Sequence, residues 1–136
     1  MNRCAGSLAV ILSLAAHAAL AWEASEDFRG LQLYSLADGP ITLNLVCDPN
    51  GAFQPPSNHL AIKKGDAGLD GPYRLTSEAA SYEGILVGGT DISTGNKHWP
   101  DLIAVLKSGR TLTLSLNGQD FDLDTARAFS ATCGSE

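Results

Sequence analysis

Residues 98–123 read HWPDLIAVLKSGRTLTLSLNGQDFDL, and their pattern decides the fold of this chain. Pro100 suits the first turn of a helix, because its missing N–H would have no intrahelical partner there. Asp101 follows, where a carboxylate favours the positive end of the helix dipole. The segment therefore predicts a short helix with one apolar stripe, formed by Leu102, Ile103, Val105 and Leu106.

The second half of this stretch predicts a β-hairpin. Residues 111–116 alternate strictly between leucine and a small hydroxyl residue, which is typical of a strand with one buried face. Asn117-Gly118 is a pair that a tight type I′ turn prefers, since both residues tolerate positive φ. The return strand, residues 119–123, places Phe121 and Leu123 on the same apolar face as the leucines.

Most of the remaining chain predicts further short strands separated by turn residues. Residues 22–30 predict a polar arm, and residues 64–71 and 88–97 predict loops. Asp124 suits the N-cap of a last short helix over residues 125–132. This pattern predicts a mainly β protein, a small antiparallel β-sandwich or open barrel with two short helices. The other predicted strands are 31–34, 41–47, 59–63, 72–75 and 81–87.

The first residues predict a secretory signal peptide. Arg3 precedes an apolar run over residues 8–20, which is short for a membrane span. Ala19-Leu-Ala21 fits the small-x-small cleavage pattern, and cleavage after Ala18 is the alternative. The predicted organisation is a signal peptide over 1–21 and a single β-rich domain over 22–136, periplasmic or secreted, with no transmembrane helix after cleavage.

The charge of the chain restricts the class of partner. Removal of Arg3 with the signal peptide leaves eight lysines and arginines against 15 acidic residues, a formal charge of −7. An acidic chain with dispersed basic residues argues against nucleic acid as a partner. The expected partner is therefore a protein or another component of the cell envelope, and the oligomeric state is left open.

Two cysteines remain after the signal peptide, which carries Cys4, is removed. In an oxidising compartment Cys47 and Cys133 are most simply explained by a disulfide. Such a bridge would close a long loop and contribute roughly 4 kcal/mol to stability. A catalytic thiol is the alternative interpretation of either cysteine, and it would need a histidine close in space.

His98, Trp99 and Asp101 form the most suggestive polar cluster, with Asp91 not far before them. A histidine and an aspartate three residues apart could share a proton or a metal ion, although a zinc site needs three or four ligands. The alternative is a helix-start motif, in which Trp99 packs on the apolar stripe. The sequence predicts a binding surface at His98, Trp99 and Asp101, with no catalytic residue, metal or cofactor assigned.

Three segments near the C-terminus carry a family resemblance. Residues 101–116, 121–123 and 126–129 resemble the C-terminal part of the invasion-associated locus B family, in which a short helix ending Lys-x-Gly leads into a strand, a hairpin and an alanine-containing segment. The resemblance covers about a quarter of the chain and involves structural residues. It implies an exported envelope protein of Gram-negative cells, and it transfers no functional residue.

The leading functional hypothesis is an exported periplasmic protein with a non-enzymatic binding or structural role in the cell envelope. The first alternative is an envelope-acting hydrolase that uses His98 and Asp101, with Asp91 as a further candidate. The second is a periplasmic inhibitor or immunity-type protein that blocks a lytic enzyme with a loop such as residues 51–58. Whether the protein is an enzyme is left open, with the binding role favoured.

Overall fold

The computed structural model describes residues 22–125 and 129–134. The predicted signal peptide over 1–21 lies outside the described residues. Ten strands and one helix are described, and the strands form two antiparallel sheets. The strands are β1 (Glu23–Glu26), β2 (Gln32–Asp38), β3 (Ile41–Cys47), β4 (His59–Lys64), β5 (Ala67–Gly68), β6 (Gly71–Thr76), β7 (Ser81–Leu86), β8 (Thr90–Ile92), β9 (Thr111–Leu116) and β10 (Gln119–Asp124), and the helix is α1 (Trp99–Lys107).

The ten described strands are divided between two sheets. The first sheet has the order β1-β2-β3-β4-β5, and β8 also pairs with β4. The second sheet has the order β10-β9-β6-β7. The prediction of a mainly β, antiparallel sandwich-like fold is confirmed, although one helix is present in the described residues where two were predicted.

The core forms where the alternating faces of both sheets meet α1. On β3 every second side chain is buried, from Ile41 to Cys47, as its period-two pattern requires. On β9 the three leucines are buried in the same way. One apolar cluster therefore joins both sheets and the helix, whose buried side chains are Trp99, Leu102, Ile103, Val105 and Leu106.

Residues 98–123 fold as their sequence predicts. The helix includes Pro100 in its first turn and Asp101 after it. Strands β9 and β10 pair in register from Leu116–Gln119 to Thr111–Asp124, across a turn in which Asn117 and Gly118 both have positive φ. These φ values, 52° and 75°, match a type I′ turn. The Leu112 side chain therefore faces Leu123 across the hairpin.

Three predicted loops contain short strands. Residues 23–26 form β1 rather than a polar arm, because they pair with residues 32–35 of β2 across a tight turn. The preceding residue, Trp22, is buried against Phe129, which holds this segment on the core. Strands β5 and β8 likewise lie in segments that were predicted to be loops, and both pair with β4.

The predicted helix over residues 125–132 is wrong for its described residues, Thr125 and 129–132, and residues 126–128 lie outside the description. The Thr125 N–H donates to the Arg110 carbonyl at 2.8 Å, and the Phe129 N–H donates to the Leu106 carbonyl at 3.1 Å. These long-range bonds replace the local bonds that a helix would need. Local propensity is a weak guide where tertiary partners satisfy the backbone.

Cys47 and Cys133 form the predicted disulfide. The two Cα atoms lie 5.1 Å apart and both residues are buried. The bridge fastens the C-terminal segment to the end of β3. The indole Nε1 of Trp99 donates a hydrogen bond of 2.8 Å to the Cys133 carbonyl, so the same segment is also fixed to the start of α1.

Among residues 22–125 and 129–134, no helix is long and apolar enough to span a bilayer.

Candidate functional site

The start of α1 and the strand β7 enclose a surface cleft that contains two of the predicted site residues. Its volume is about 360 Å³, and its lining includes Tyr82 and Glu83 of β7 together with His98 and Asp101. The ring Nδ1 of His98 lies 3.2 Å from Asp101 Oδ2, and both side chains are largely exposed. The structure therefore brings these two residues of the predicted binding surface together at the surface.

Trp99, the third residue of the predicted binding surface, does not line the cleft. Its side chain is only 2% exposed and packs in the core. Its polar atom is already used by the bond to the Cys133 carbonyl. Trp99 therefore acts as a structural residue, in agreement with the helix-start interpretation of this motif.

Asp91, the further candidate for the hydrolase hypothesis, belongs to a buried polar cluster beneath the cleft. Its Oδ2 atom accepts hydrogen bonds from the hydroxyls of Tyr73, at 2.7 Å, and Tyr82, at 2.9 Å. The Asn96 side-chain amide donates to the Tyr82 hydroxyl at 2.8 Å. Asp91 comes from β8 of the first sheet, whereas both tyrosines come from the second sheet, so this cluster joins the two sheets.

Burial raises the pKa of both tyrosines. It raises the pKa of Tyr73 far above its ordinary value, and the adjacent Asp91 carboxylate adds to the shift. Burial, together with Asp91, raises the pKa of Tyr82 to about 12. Both phenols are therefore protonated at neutral pH and act as hydrogen-bond donors to Asp91.

Gly84 makes room for this cluster. A Cβ atom at this position would lie 2.5 Å from Asp91 Oδ2 and 2.8 Å from a ring carbon of each tyrosine. No side chain larger than hydrogen fits without displacing the cluster. The sequence analysis did not single out Gly84, because the tyrosines and Asp91 meet it only in the folded chain.

The arrangement at the cleft offers hydrogen-bonding groups and the carboxylates of Glu83 and Asp101. The imidazole of His98 is exposed there, and its Nδ1 lies 3.2 Å from Asp101 Oδ2. In the described part of the chain, no group of three or more His, Cys, Asp or Glu side chains is placed to hold a metal ion. What the cleft presents is a polar recess beside a β-strand.

The loop of the inhibitor hypothesis, residues 51–58, lies between β3 and β4, and the Asp48 side chain holds it. The Asp48 carboxylate accepts N–H bonds from Ala52 at 2.6 Å, Phe53 at 3.0 Å and Ser57 at 3.3 Å. The Phe53 ring stacks on His59, with ring centroids 4.8 Å apart. Asp48 therefore determines the shape of this loop.

A neighbouring turn presents an exposed aromatic ring next to that loop. Phe28 is 97% exposed, and the Asp27 carboxylate holds its turn by accepting N–H bonds from Arg29 and Leu31. The Arg29 guanidinium lies over the rings of both Phe28 and Phe53. The sequence analysis did not single out Phe28, because a polar segment with one phenylalanine gives no sign that the ring remains in solvent.

We expect the loop around Asp48 to loosen in acid. Burial alone would raise the pKa of Asp48, but the backbone N–H bonds outweigh it and hold the pKa below its ordinary value of 3.8. The stabilisation is therefore complete above pH 3.8 and is lost as the pH falls through the lower, folded-state pKa. Hydrogen exchange of the Ala52 and Phe53 amides should show protection that falls with acid in that window.

The variant Asp48→Asn provides the control for this prediction. It replaces one acceptor oxygen with an NH2 group, which cannot accept from a backbone N–H. Ala52 bonds to Oδ1 and Phe53 to Oδ2 of Asp48, so the amide opposite the NH2 group should then be poorly protected at every pH, while the core amide of Leu114 keeps its protection. Equal protection of the loop in both proteins would contradict the role given to Asp48.

Comparisons of this chain with protein-family models, with curated proteins and with solved structures give no match. The resemblance of its C-terminal segments to the invasion-associated locus B family therefore stays a prediction.

Proposed function

We propose that this chain is an exported binding module of the cell envelope, and that it holds a protein partner beside the cleft between β7 and α1. One observation carries the proposal. Ile85 is 60% exposed and Val87 is 75% exposed, and they lie two and four residues after Glu83, the last β7 residue that lines the cleft. Large apolar side chains exposed together beside a polar recess are typical of protein interaction surfaces.

The location in the envelope is supported by two further features. The chain begins with the pattern of a signal peptide, and Cys47 and Cys133 are joined in a buried disulfide. Disulfides persist in oxidising compartments such as the periplasm and are rare in the cytosol. The family resemblance points the same way, because it implies an exported envelope protein.

Site-specific photocrosslinking in intact cells tests the proposal. The full chain would carry a photoreactive phenylalanine analogue at position 85, and in separate strains at position 120 or position 28. Asp120 is the matched control, since it is exposed on β10, the opposite edge of the same sheet. We expect a discrete protein adduct in the periplasmic fraction with the probe at position 85 and none at position 120.

The other outcomes separate the alternative functions. An adduct at position 28 alone would favour the inhibitor hypothesis, because Phe28 adjoins the loop over residues 51–58. Turnover of an envelope substrate that the variant His98→Ala abolishes would favour the hydrolase. Absence of an adduct at positions 85 and 28, or retention of the chain in the cytoplasm with its thiols free, would defeat the proposal.

A further inference from the structure

The two edges of the second sheet differ in chemistry. Strand β10 forms one edge, and its outward positions carry exposed aspartates, including Asp120 and Asp122. Charged side chains of this kind protect an edge strand from pairing with another chain. Strand β7 forms the other edge, where Ile85 is largely exposed and the chain continues into the exposed Val87. Glu83 is the charged residue of β7, and the edge from Ile85 to Val87 lacks the protection that β10 has.

The backbone of β7 is available along this edge. Val87 and Thr90 exchange two backbone hydrogen bonds on the side of the strand that faces away from β6. The Val87 N–H donates to the Thr90 carbonyl at 2.9 Å, and the Thr90 N–H donates to the Val87 carbonyl at 3.3 Å. Alternate residues of an antiparallel strand direct their backbone groups to the same side. Glu83 and Ile85 therefore point their N–H and C=O groups away from β6, where no described residue pairs with them.

The residue that pairs with Ile85 also indicates that the backbone groups of Ile85 point away from β6. Ile85 pairs with Pro72 of β6, and proline has no N–H to donate to a neighbouring strand. The Pro72–Ile85 position is thus a non-hydrogen-bonded pair, whereas Tyr82 and Gly84 carry the hydrogen bonds to β6. The unused backbone groups of β7 belong to the residues with exposed side chains.

There is space beside this edge for one further strand. The cleft of about 360 Å³ runs along the first half of β7, between the strand and the start of α1. On the outer face, a second groove of about 530 Å³ is lined by Pro72, Ile85 and neighbouring residues of β6 and β9. An extended chain lies about 4.8 Å from the strand that it pairs with. An extended peptide therefore suits the space between β7 and α1 better than a folded domain, which the helix would obstruct.

The charges beside the edge indicate the chemistry of the occupant. The carboxylates of Glu83 and Asp101 are both largely exposed at the cleft, and Glu83 already pairs with Arg74. A second copy of the chain would bring the same two carboxylates to this edge and no added basic side chain near them, which makes it a poorer match than a basic segment. A basic side chain on the occupant would be attracted by both carboxylates, and an apolar one would cover Ile85 and Val87.

We propose that an extended peptide segment of a partner protein, with alternating basic and apolar side chains, adds to β7 as a fifth strand of the second sheet. This mode of binding gains affinity from main-chain hydrogen bonds and specificity from alternate side chains. The proposal rests on the proposed function, since both place the partner at the cleft. It adds the conformation and the charge of the partner's segment.

Amide hydrogen exchange measured by NMR tests this proposal on the purified, disulfide-bonded protein. The probe is a blocked peptide of about eight residues with alternating lysine and valine, and the matched control peptide alternates glutamate and valine. At saturation, exchange of the Glu83 and Ile85 amides should slow by about tenfold or more. The Tyr82 and Gly84 amides, which face β6, should not change, and this alternation distinguishes strand addition from side-chain contact.

Two variants of β7 and one control variant of β10 make the test decisive. Ile85→Pro removes one outward N–H, so the peptide should bind poorly and no longer protect the Glu83 amide. A proline is tolerated at this position because β7 is an edge strand. Glu83→Lys, which does not depend on the folding of the proline variant, should shift preference to the glutamate peptide. Asp120→Lys on the opposite edge should leave the preference unchanged.

Three results of the exchange measurement would overturn the proposal: no protection of any β7 amide, equal protection of all β7 amides, or protection of β10 amides. An unchanged peptide preference in Glu83→Lys would also overturn it. These outcomes are distinct from failure of the proposed function. If position 85 gives a crosslinked adduct but the β7 amides show no alternating protection, the proposed function stands and strand addition is wrong.

Discussion

Replacing Cys47 and Cys133 together with alanine should lower the free energy of unfolding by about 4 kcal/mol. The bridge joins residues 86 positions apart, so its loss restores a large amount of chain entropy to the unfolded state. This is a large share of the stability expected for a small domain. Urea denaturation of the oxidised wild type and of the double variant measures the difference.

The reduced wild-type protein is the control for the disulfide. Reductant should lower its urea midpoint toward that of the double variant, and should leave the midpoint of the variant unchanged. The fluorescence of Trp99 should also report the change, because its indole bonds to the Cys133 carbonyl. An unaltered midpoint after reduction, or titratable thiols in the native protein, would contradict the prediction.

Asp91→Ala should destabilise the fold by about 3 kcal/mol or more. The change removes the acceptor that two buried tyrosine hydroxyls share. It also leaves a cavity between the sheets, which adds to the cost. Because Asp91 belongs to the first sheet and the tyrosines to the second, the loss falls on the contact that joins the sheets.

Three further variants calibrate the Asp91 prediction by the same urea measurement. Tyr73→Phe removes one donor and should cost about 1–2 kcal/mol, because one oxygen of Asp91 then loses a single bond. Asp120→Ala, an exposed aspartate on β10, should change stability by less than about 0.5 kcal/mol. Asp91→Asn keeps one acceptor oxygen and should fall between Tyr73→Phe and Asp91→Ala. A loss below about 1 kcal/mol for Asp91→Ala would show that the cluster does not hold the sheets together.

The sequence predicted the strands best where apolar residues alternate without interruption. Residues 41–47 and 111–116 each bury one face, and that face follows from the period of two alone. The sequence failed at β1, whose residues Glu-Ala-Ser-Glu have no apolar face and are all exposed. Their strand geometry comes from pairing with β2 and from the anchoring of Trp22 on Phe129, which a local pattern cannot show.

The candidate site was only partly predictable for a similar reason. His98 and Asp101 are three residues apart on one helix, so their proximity could be read directly from the sequence. Asp91 was grouped with them by distance along the chain, but its partners are Tyr73 and Tyr82, residues of another sheet. Trp99 was grouped with them by adjacency, and the turn of the helix directs its side chain into the core instead.

The sequence by itself determined the features that depend on short-range order: the alternating faces, the Asn117-Gly118 turn and the start of α1. Only the tertiary structure decided which strands lie at the edges, which polar groups are buried together, and that Glu83 and Ile85 keep unpaired backbone groups. Periodicity and turn chemistry act over a few residues. Sheet order, burial and hydrogen-bond satisfaction depend on contacts between residues far apart in the chain, and they are fixed only when the sheets pack.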